Sequence, residues 1–455
     1  MERVEIVFDP QLGEDVVFRN AWLPSFQARR AGKRWFCANA SGDWTFLDDA
    51  EYEAARSVAL PRSLFDRLES ALLILTAANA STHFDRHQQW SGAHFRHPSL
   101  HIVVATTRCN LACSYCHVDV VPPDAGSGFD LSQPVADAIV EFALNSPAPT
   151  LAFEFQGGES LLNGEVLRYM IPMIQRACAV EDRKAEISIQ TNGTLLNPRW
   201  MELFQQHGVT LGTSIDGPPE LHDAQRRRWN GSGSYDAVAR NAERFDVPML
   251  PTVTRLSLPY WQEIVDRQLA GGAQSITFQN VYPINAAARN WEQVGLEMDE
   301  FLACYDLVVQ YLRSRWRSGY YPLERRFRLA LEKLARRRDV GYPDFANPCG
   351  MAHGQIAYHT NGDVYTCDEG RDFPEFRLGN VLTSSYDEVV FGPTLRRLKS
   401  LSIPNDTECL SCAYRPVCST CPVYDRAVTG ELTARHAGTA KCRQTKYIFD
   451  TLIGW

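Results

Sequence analysis

The chain has 455 residues, of which 45% are hydrophobic and 22% charged, with a formal net charge of −8. That length allows two or three domains with their own cores. The acidic balance disfavours general nucleic-acid binding, and no apolar run reaches the ~18 residues of a membrane helix.

The opening "MERVEIVFDPQLGED" carries acidic residues and no apolar stretch, so no secretory signal is expected and a cytoplasmic location follows. Within residues 1–98, "RWFCANASGDWTFLDD" places two short apolar runs around a Ser-Gly-Asp turn, which predicts a hairpin. "LPRSLFDRLESALLILTAA" has helical apolar spacing with a proline near its start. The texture changes over 99–293. There "LHIVVATT", "TLAFEFQGG", "AEISIQTNG", "VTLGTSIDG", "VPMLPTVTR" and "SITFQNVYP" read as buried strands ending in polar or glycine residues. Helical segments such as "PVADAIVEFALNS" and "EVLRYMIPMIQRACAV" separate them. Strand–helix alternation of this kind predicts an α/β fold with a parallel sheet, open or curled into a barrel. Chemistry in such folds sits beyond the strand C-termini. Residues 294–345 form a helical bridge, and 346–455 are rich in cysteines and turns.

Thirteen cysteines without an export signal point to metal ligands rather than disulfides. Cys37, Cys178 and Cys304 stand alone and are expected to be packed thiols. Cys109, Cys113 and Cys116 follow the first predicted strand with C-x3-C-x2-C spacing. Structural zinc wants four ligands, whereas three thiolates can hold an iron–sulfur cluster and leave one iron free. With Tyr115 at the aromatic position, this stretch resembles the cluster motif of the radical S-adenosylmethionine (SAM) superfamily. The resemblance implies a partial (β/α)6 TIM-like barrel, a SAM-binding [4Fe–4S] cluster on the three cysteines, and release of a 5′-deoxyadenosyl radical. It further implies SAM contacts at successive strand ends. Gly157, Gly158 and Glu159 of "QGGES" would face the methionyl amine, and Gln190 and Asn192 of "QTNG" the ribose. Ser214, Asp216 and Arg226 follow the fourth strand, with Ser214 and Arg226 on the SAM carboxylate.

Seven further cysteines lie between 349 and 442. Their order resembles the iron–sulfur SPASM extension of peptide-modifying maturases, except that Cys418 and Cys421 are one residue closer than usual. One or two zinc sites are the alternative from spacing alone. The resemblance implies one auxiliary [4Fe–4S] cluster on Cys409, Cys412, Cys418 and Cys442, and another on Cys349, Cys367 and Cys421. No fourth ligand of the latter is evident, and His353 stands where some relatives have a cysteine. The family likeness implies a ribosomal precursor peptide as substrate, with the 1–98 unit offering a strand edge to its leader. It also implies a reductant such as flavodoxin or ferredoxin. The N-terminal texture most resembles the His-Xaa-Ser system maturases, which work as paired radical SAM proteins. The expected reaction is hydrogen abstraction followed by a side-chain crosslink. Asp368, Glu369 and Tyr282 are the candidate catalytic bases. Formylglycine or thioether formation is one rival, and a non-catalytic iron–sulfur or zinc scaffold the other.

Overall fold

The computed structural model describes residues 6–9, 14–18, 23–57, 59–92, 97–337, 340–432 and 435–455. The opening segment, read above for an export signal, lies partly outside the described residues. No helix among the described residues is long and apolar enough to cross a membrane.

The first four predicted strands form at Leu100–Thr106, Thr150–Gly157, Lys184–Gln190 and Thr210–Gly212, all parallel and adjacent in that order. The first is rich in β-branched residues, and the buried positions of the next two are Leu151, Phe153, Phe155, Ile187 and Ile189. The helices Gln133–Leu144, Gly164–Val180 and Pro198–Gln206 join them. Their buried faces pack on Phe153, Phe155, Ile187 and Ile189 in one core.

The fifth and sixth strands are shorter than their apolar runs suggested. Only Thr252–Val253 forms in "VPMLPTVTR", because Pro248 and Pro251 have no N–H to give a ladder. "SITFQNVYP" splits into Ser275–Ile276 and Gln279–Asn280. Between them the Thr277 N–H is taken by the Gln268 side chain at 2.8 Å and the Phe278 N–H by Glu324 at 3.4 Å. Gln279–Asn280 pairs parallel with Thr252–Val253, and Ser275–Ile276 pairs parallel with Leu323–Glu324 of the helical bridge. An isolated parallel bridge from Thr213 to Met249 carries the curl onward from the fourth strand.

The free edge of the first barrel strand is closed by the C-terminal region. Gln355–Tyr358 pairs parallel with Leu100–Thr106, then Asp363–Tyr365 and Arg377–Asn380 follow antiparallel, giving a seven-stranded sheet. These three strands were not predicted. A hairpin signal was present, however: Asn361-Gly362 sits between "QIAY" and "DVY", with Gly362 at φ 86°.

Near the N-terminus, Arg34–Ala38 and Trp44–Leu47 form the expected hairpin, joined by Gln27–Ala31. The helix Arg62–Ser70 starts after Pro61 and stops before Leu72, which takes φ 57°. This unit docks through Arg29, whose guanidinium meets both Asp450 oxygens at 2.6 Å, and through the Trp44 indole on Leu334 O at 2.8 Å. Phe36, Tyr115, Phe278, Tyr305, Phe327 and Phe449 share one core, so hairpin, barrel, bridge helices and C-terminal helix bury a common apolar interior.

Candidate active site

The loop after the first strand carries Cys109, Cys113 and Cys116. Its backbone is pinned by Cys109 N to Val121 O at 2.9 Å and Ser114 N to Gln225 O at 2.9 Å. Burial, then the neighbouring thiols, push Cys109 above the ordinary thiol range. Burial also lifts Cys113 to about 12 against the pull of Arg226. Three protonated thiols crowded in this way become ligands once a cation replaces their protons.

The glycine pair is required by packing. A Cβ on Gly157 would lie 2.1 Å from Thr106 O, and one on Gly158 would lie 2.3 Å from Arg108 O. The loop therefore lies flat against the exit of the first strand, with Gly158 N bonded to Thr106 O and Glu159 N to Arg108 O, each at 2.8 Å. Glu159 is fully buried. Its carboxylate accepts from Asn192 N at 2.7 Å, Thr191 Oγ1 at 2.8 Å and Leu161 N at 3.1 Å, tying the second strand end to the third. Asn192 in turn donates to Asn110 Oδ1 at 2.8 Å and leans on Cys109 Sγ at 3.9 Å.

Tyr115, Asp216 and Arg226 form a buried triad. The Tyr115 hydroxyl donates to the Asp216 carboxylate at 2.7 and 2.9 Å and accepts from Arg226 Nη1. Asp216 also takes Gln225 Nε2 and Thr252 N, both at 3.2 Å. Arg226 Nε is buried with no partner, beside Cys113. A buried donor left over beside the thiols of Cys113 and Cys116 fits an anionic ligand there.

Tyr115, Gln190 and Ser214 line one cavity of about 430 Å³ between the strand ends and the C-terminal region. Tyr282, Asp368 and Glu369 line the same cavity from the other side. Asp368 is held down to about 2: burial opposes the charge, but Arg371 at 3.0 Å and His117 at 3.1 Å outweigh it. Burial, then Asp344 and Asp368, raise Glu369 to about 7. Burial raises the Tyr282 phenol, but Arg326 and Lys441 more than reverse this and leave it below its ordinary value. His117 was not among the predicted residues, although its place directly after Cys116 was a signal. Gln355, Asp344, Arg326 and Lys441 carried none, since each reaches the site only through the fold.

The C-terminal cysteines fall into two groups. Cys349, Cys367 and Cys421 line a hollow of about 50 Å³ that shares Tyr282, Asp344, Gln355 and Glu369 with the larger cavity. Cys409, Cys418 and Cys442 line a second hollow of about 20 Å³, which Cys421 also touches. Cys421 lies electrostatically close to Cys349 and Cys367, and Cys409 and Cys418 lie close to each other and to Cys412 and Cys442. No three His, Cys, Asp or Glu side chains among the described residues converge closely enough to hold a single ion. A four-iron cube binds each thiolate at a different corner, so it fits thiols spread round a hollow. Cys37, Cys178 and Cys304 are buried in the cores.

Two family models match the chain: the radical SAM superfamily over residues 103–256, and the SPASM iron–sulfur cluster-binding domain over residues 349–422. The serine-type anaerobic sulfatase-maturating enzyme of Klebsiella aerogenes is 28% identical over 331 residues, covering 70% of this chain and 77% of that protein. The fold is similar to native anSMEcpe with bound AdoMet and Cp18Cys peptide, with a TM-score of 0.65 and 22% identity over 78% of this chain and 96% of that one. It is also similar to Streptococcus suis SuiB bound to precursor peptide SuiA, with a TM-score of 0.56 and 15% identity over 92% and 100%. The resemblance to the His-Xaa-Ser subgroup has no counterpart in these matches. SAM and [4Fe–4S] clusters are the cofactors of this enzyme, and the chain belongs to the radical SAM superfamily, with a SPASM domain at its C-terminal end.

Proposed function

We propose that the enzyme modifies a ribosomally made precursor peptide, joining a side-chain carbon to a nearby group. The observation that carries this reading is the single cavity lined on one side by Tyr115, Gln190 and Ser214 and on the other by Tyr282, Asp368 and Glu369. A peptide loop held there meets the SAM side and the auxiliary-cluster wall at once. When bound, SAM and the cluster on Cys109, Cys113 and Cys116 supply a carbon radical able to remove hydrogen from an unactivated carbon. Ser214 and Arg226 hold the SAM carboxylate, Gln190 and Asn192 lie at the ribose, and the Gly157–Gly158 turn brings backbone against the cofactor. Strict positioning by this wall decides which hydrogen is lost. Candidate proton acceptors on the far side are the Asp368–His117 pair, Glu369 and Tyr282. The leader peptide is received by the N-terminal unit, an electron donor of the flavodoxin or ferredoxin kind serves the clusters, and the precursor carries His-Xaa-Ser repeats.

The likeness to sulfatase-maturating enzymes favours a second reading, oxidation of serine or cysteine to formylglycine. Coexpression with the neighbouring small open reading frame, followed by mass spectrometry, tests both. Loss of two hydrogens without aldehyde reactivity is the expected result, and an aldehyde-reactive product supports formylglycine. Iron-replete, oxygen-free protein that makes no 5′-deoxyadenosine from SAM and dithionite would refute both.

A further inference from the structure

Three cysteines offer three bonds to a four-iron cube. Cys349, Cys367 and Cys421 line the hollow of about 50 Å³, and no other cysteine does. His353 does not line it either, and its Nδ1 lies 3.2 Å from Met351 O.

The charged side chains on the wall of that hollow are accounted for, with one exception. Asp344 Oδ1 accepts from Gln355 Nε2 at 3.0 Å. Glu324 accepts from the Arg326 N–H at 2.8 Å and from the Tyr305 hydroxyl. Arg326 Nη2 donates to the Tyr282 hydroxyl at 3.0 Å, and Arg325 lies over the Tyr342 ring at 4.4 Å. The Lys441 ammonium sits 4.7 Å above the Tyr282 ring. The exception is Glu369. Among the described residues its carboxylate has no ion pair and no hydrogen bond from another residue.

The turn after Cys367 explains why. Asp368 and Glu369 are consecutive, but Asp368 is committed to Arg371 and His117 at 3.0 and 3.1 Å. Glu369 lines the hollow among Asp344, Asp368 and the thiols of Cys367 and Cys421, and the one basic group acting on it, His117, is already paired with Asp368. A carboxylate set among other carboxylates and thiols, with its only basic neighbour paired elsewhere, is costly unless a further cation joins it. An iron bound by those thiols is such a cation, and it needs one more donor.

We propose that Glu369 is the fourth protein ligand of the auxiliary cluster held by Cys349, Cys367 and Cys421, with a carboxylate oxygen on the iron that lacks a cysteine. This rests on the assignment of those three cysteines to one cluster. It also withdraws Glu369 from the candidate bases and leaves Asp368 and Tyr282 on the reaction side.

The test uses full-length protein labelled with [δ-13C]glutamate, reconstituted with iron and sulfide without oxygen and reduced with dithionite. Electron–nuclear double resonance is expected to show a 13C coupling on an auxiliary centre. E369C, which supplies a thiolate in the same place, is expected to keep the iron content of the parent and lose the coupling. Absence of coupling in iron-replete parent protein, or its survival in E369C, overturns the proposal. C349A is expected to remove that auxiliary signal altogether. If the signal persists in C349A, the cysteine assignment beneath the proposal has failed instead.

Discussion

Tyr115, Asp216 and Arg226 show what a single buried charge asks of its neighbours. Arg226 is almost fully buried, and the Asp216 carboxylate together with the Tyr115 hydroxyl makes that burial tolerable. Removing one partner leaves an uncompensated charge, so D216A is expected to lose about 3–5 kcal/mol and Y115F about 1–3 kcal/mol. Thermal unfolding of the two variants against the parent checks the order. A D216A midpoint equal to the parent's would contradict it. The sequence named all three residues, yet the mutual bonding was not legible, because 101 positions separate Tyr115 from Asp216. His101 presents the same lesson in the core. Its ring stacks between Phe153 and Tyr358, Nδ1 meets the Tyr358 hydroxyl at 2.8 Å, and Nε2 has no partner. Burial lowers its pKa from 6.5 to about 3. The neutral form is favoured in the fold, so this contribution is complete above pH 6.5 and is lost as pH falls from there towards 3. H101F is expected to flatten the acid limb of the stability curve by up to ~1.4 kcal/mol per pH unit in that window. Parallel acid limbs for H101F and parent would refute it.

Among the elements, those with a strong local signal formed where the sequence placed them, and those that depend on partners did not. The first four strands and their helices were legible from apolar runs and from the alternation of strand and helix. The short fifth and sixth strands were overrun because apolar composition says nothing about which N–H groups have ladder partners. Pro248 and Pro251 lack that donor, and the Gln268 side chain removes another at Thr277. The Gly157–Gly158 turn packs directly on the backbone that leads into the Cys109 loop. G158A would place a methyl 2.3 Å from Arg108 O, a backbone atom that cannot move without shifting the Cys109 loop. Loss of soluble protein, or of bound iron, is the expected outcome, read by yield and iron content. Normal iron loading and SAM cleavage in G158A would show that the turn tolerates a side chain.

For the whole molecule, the decisive contact is the parallel pairing of Leu100–Thr106 with Gln355–Tyr358. It makes the strand that leads to Cys109, Cys113 and Cys116 an interior strand of a sheet whose last three strands come from the cysteine-rich C-terminal region. A chain ended at residue 345 would expose that strand's edge and uncover the core residues that Ile356 and Tyr358 pack against. Such a truncation is expected to be insoluble or unable to retain iron. A soluble 1–345 protein that still cleaves SAM would show that the two halves fold independently. The order of the cysteines, the strand–helix alternation and the polar residues at strand ends belong to the sequence alone. Each is a local pattern whose spacing already states the chemistry it can serve. The tertiary structure decided which thiols share a hollow, that Glu159 braces two loops, and that Asp368 and Glu369 face different partners. These outcomes depend on groups distant in the chain meeting in a low-dielectric interior, where a charge is stable only beside its counter-charge and no local pattern records which partner arrives.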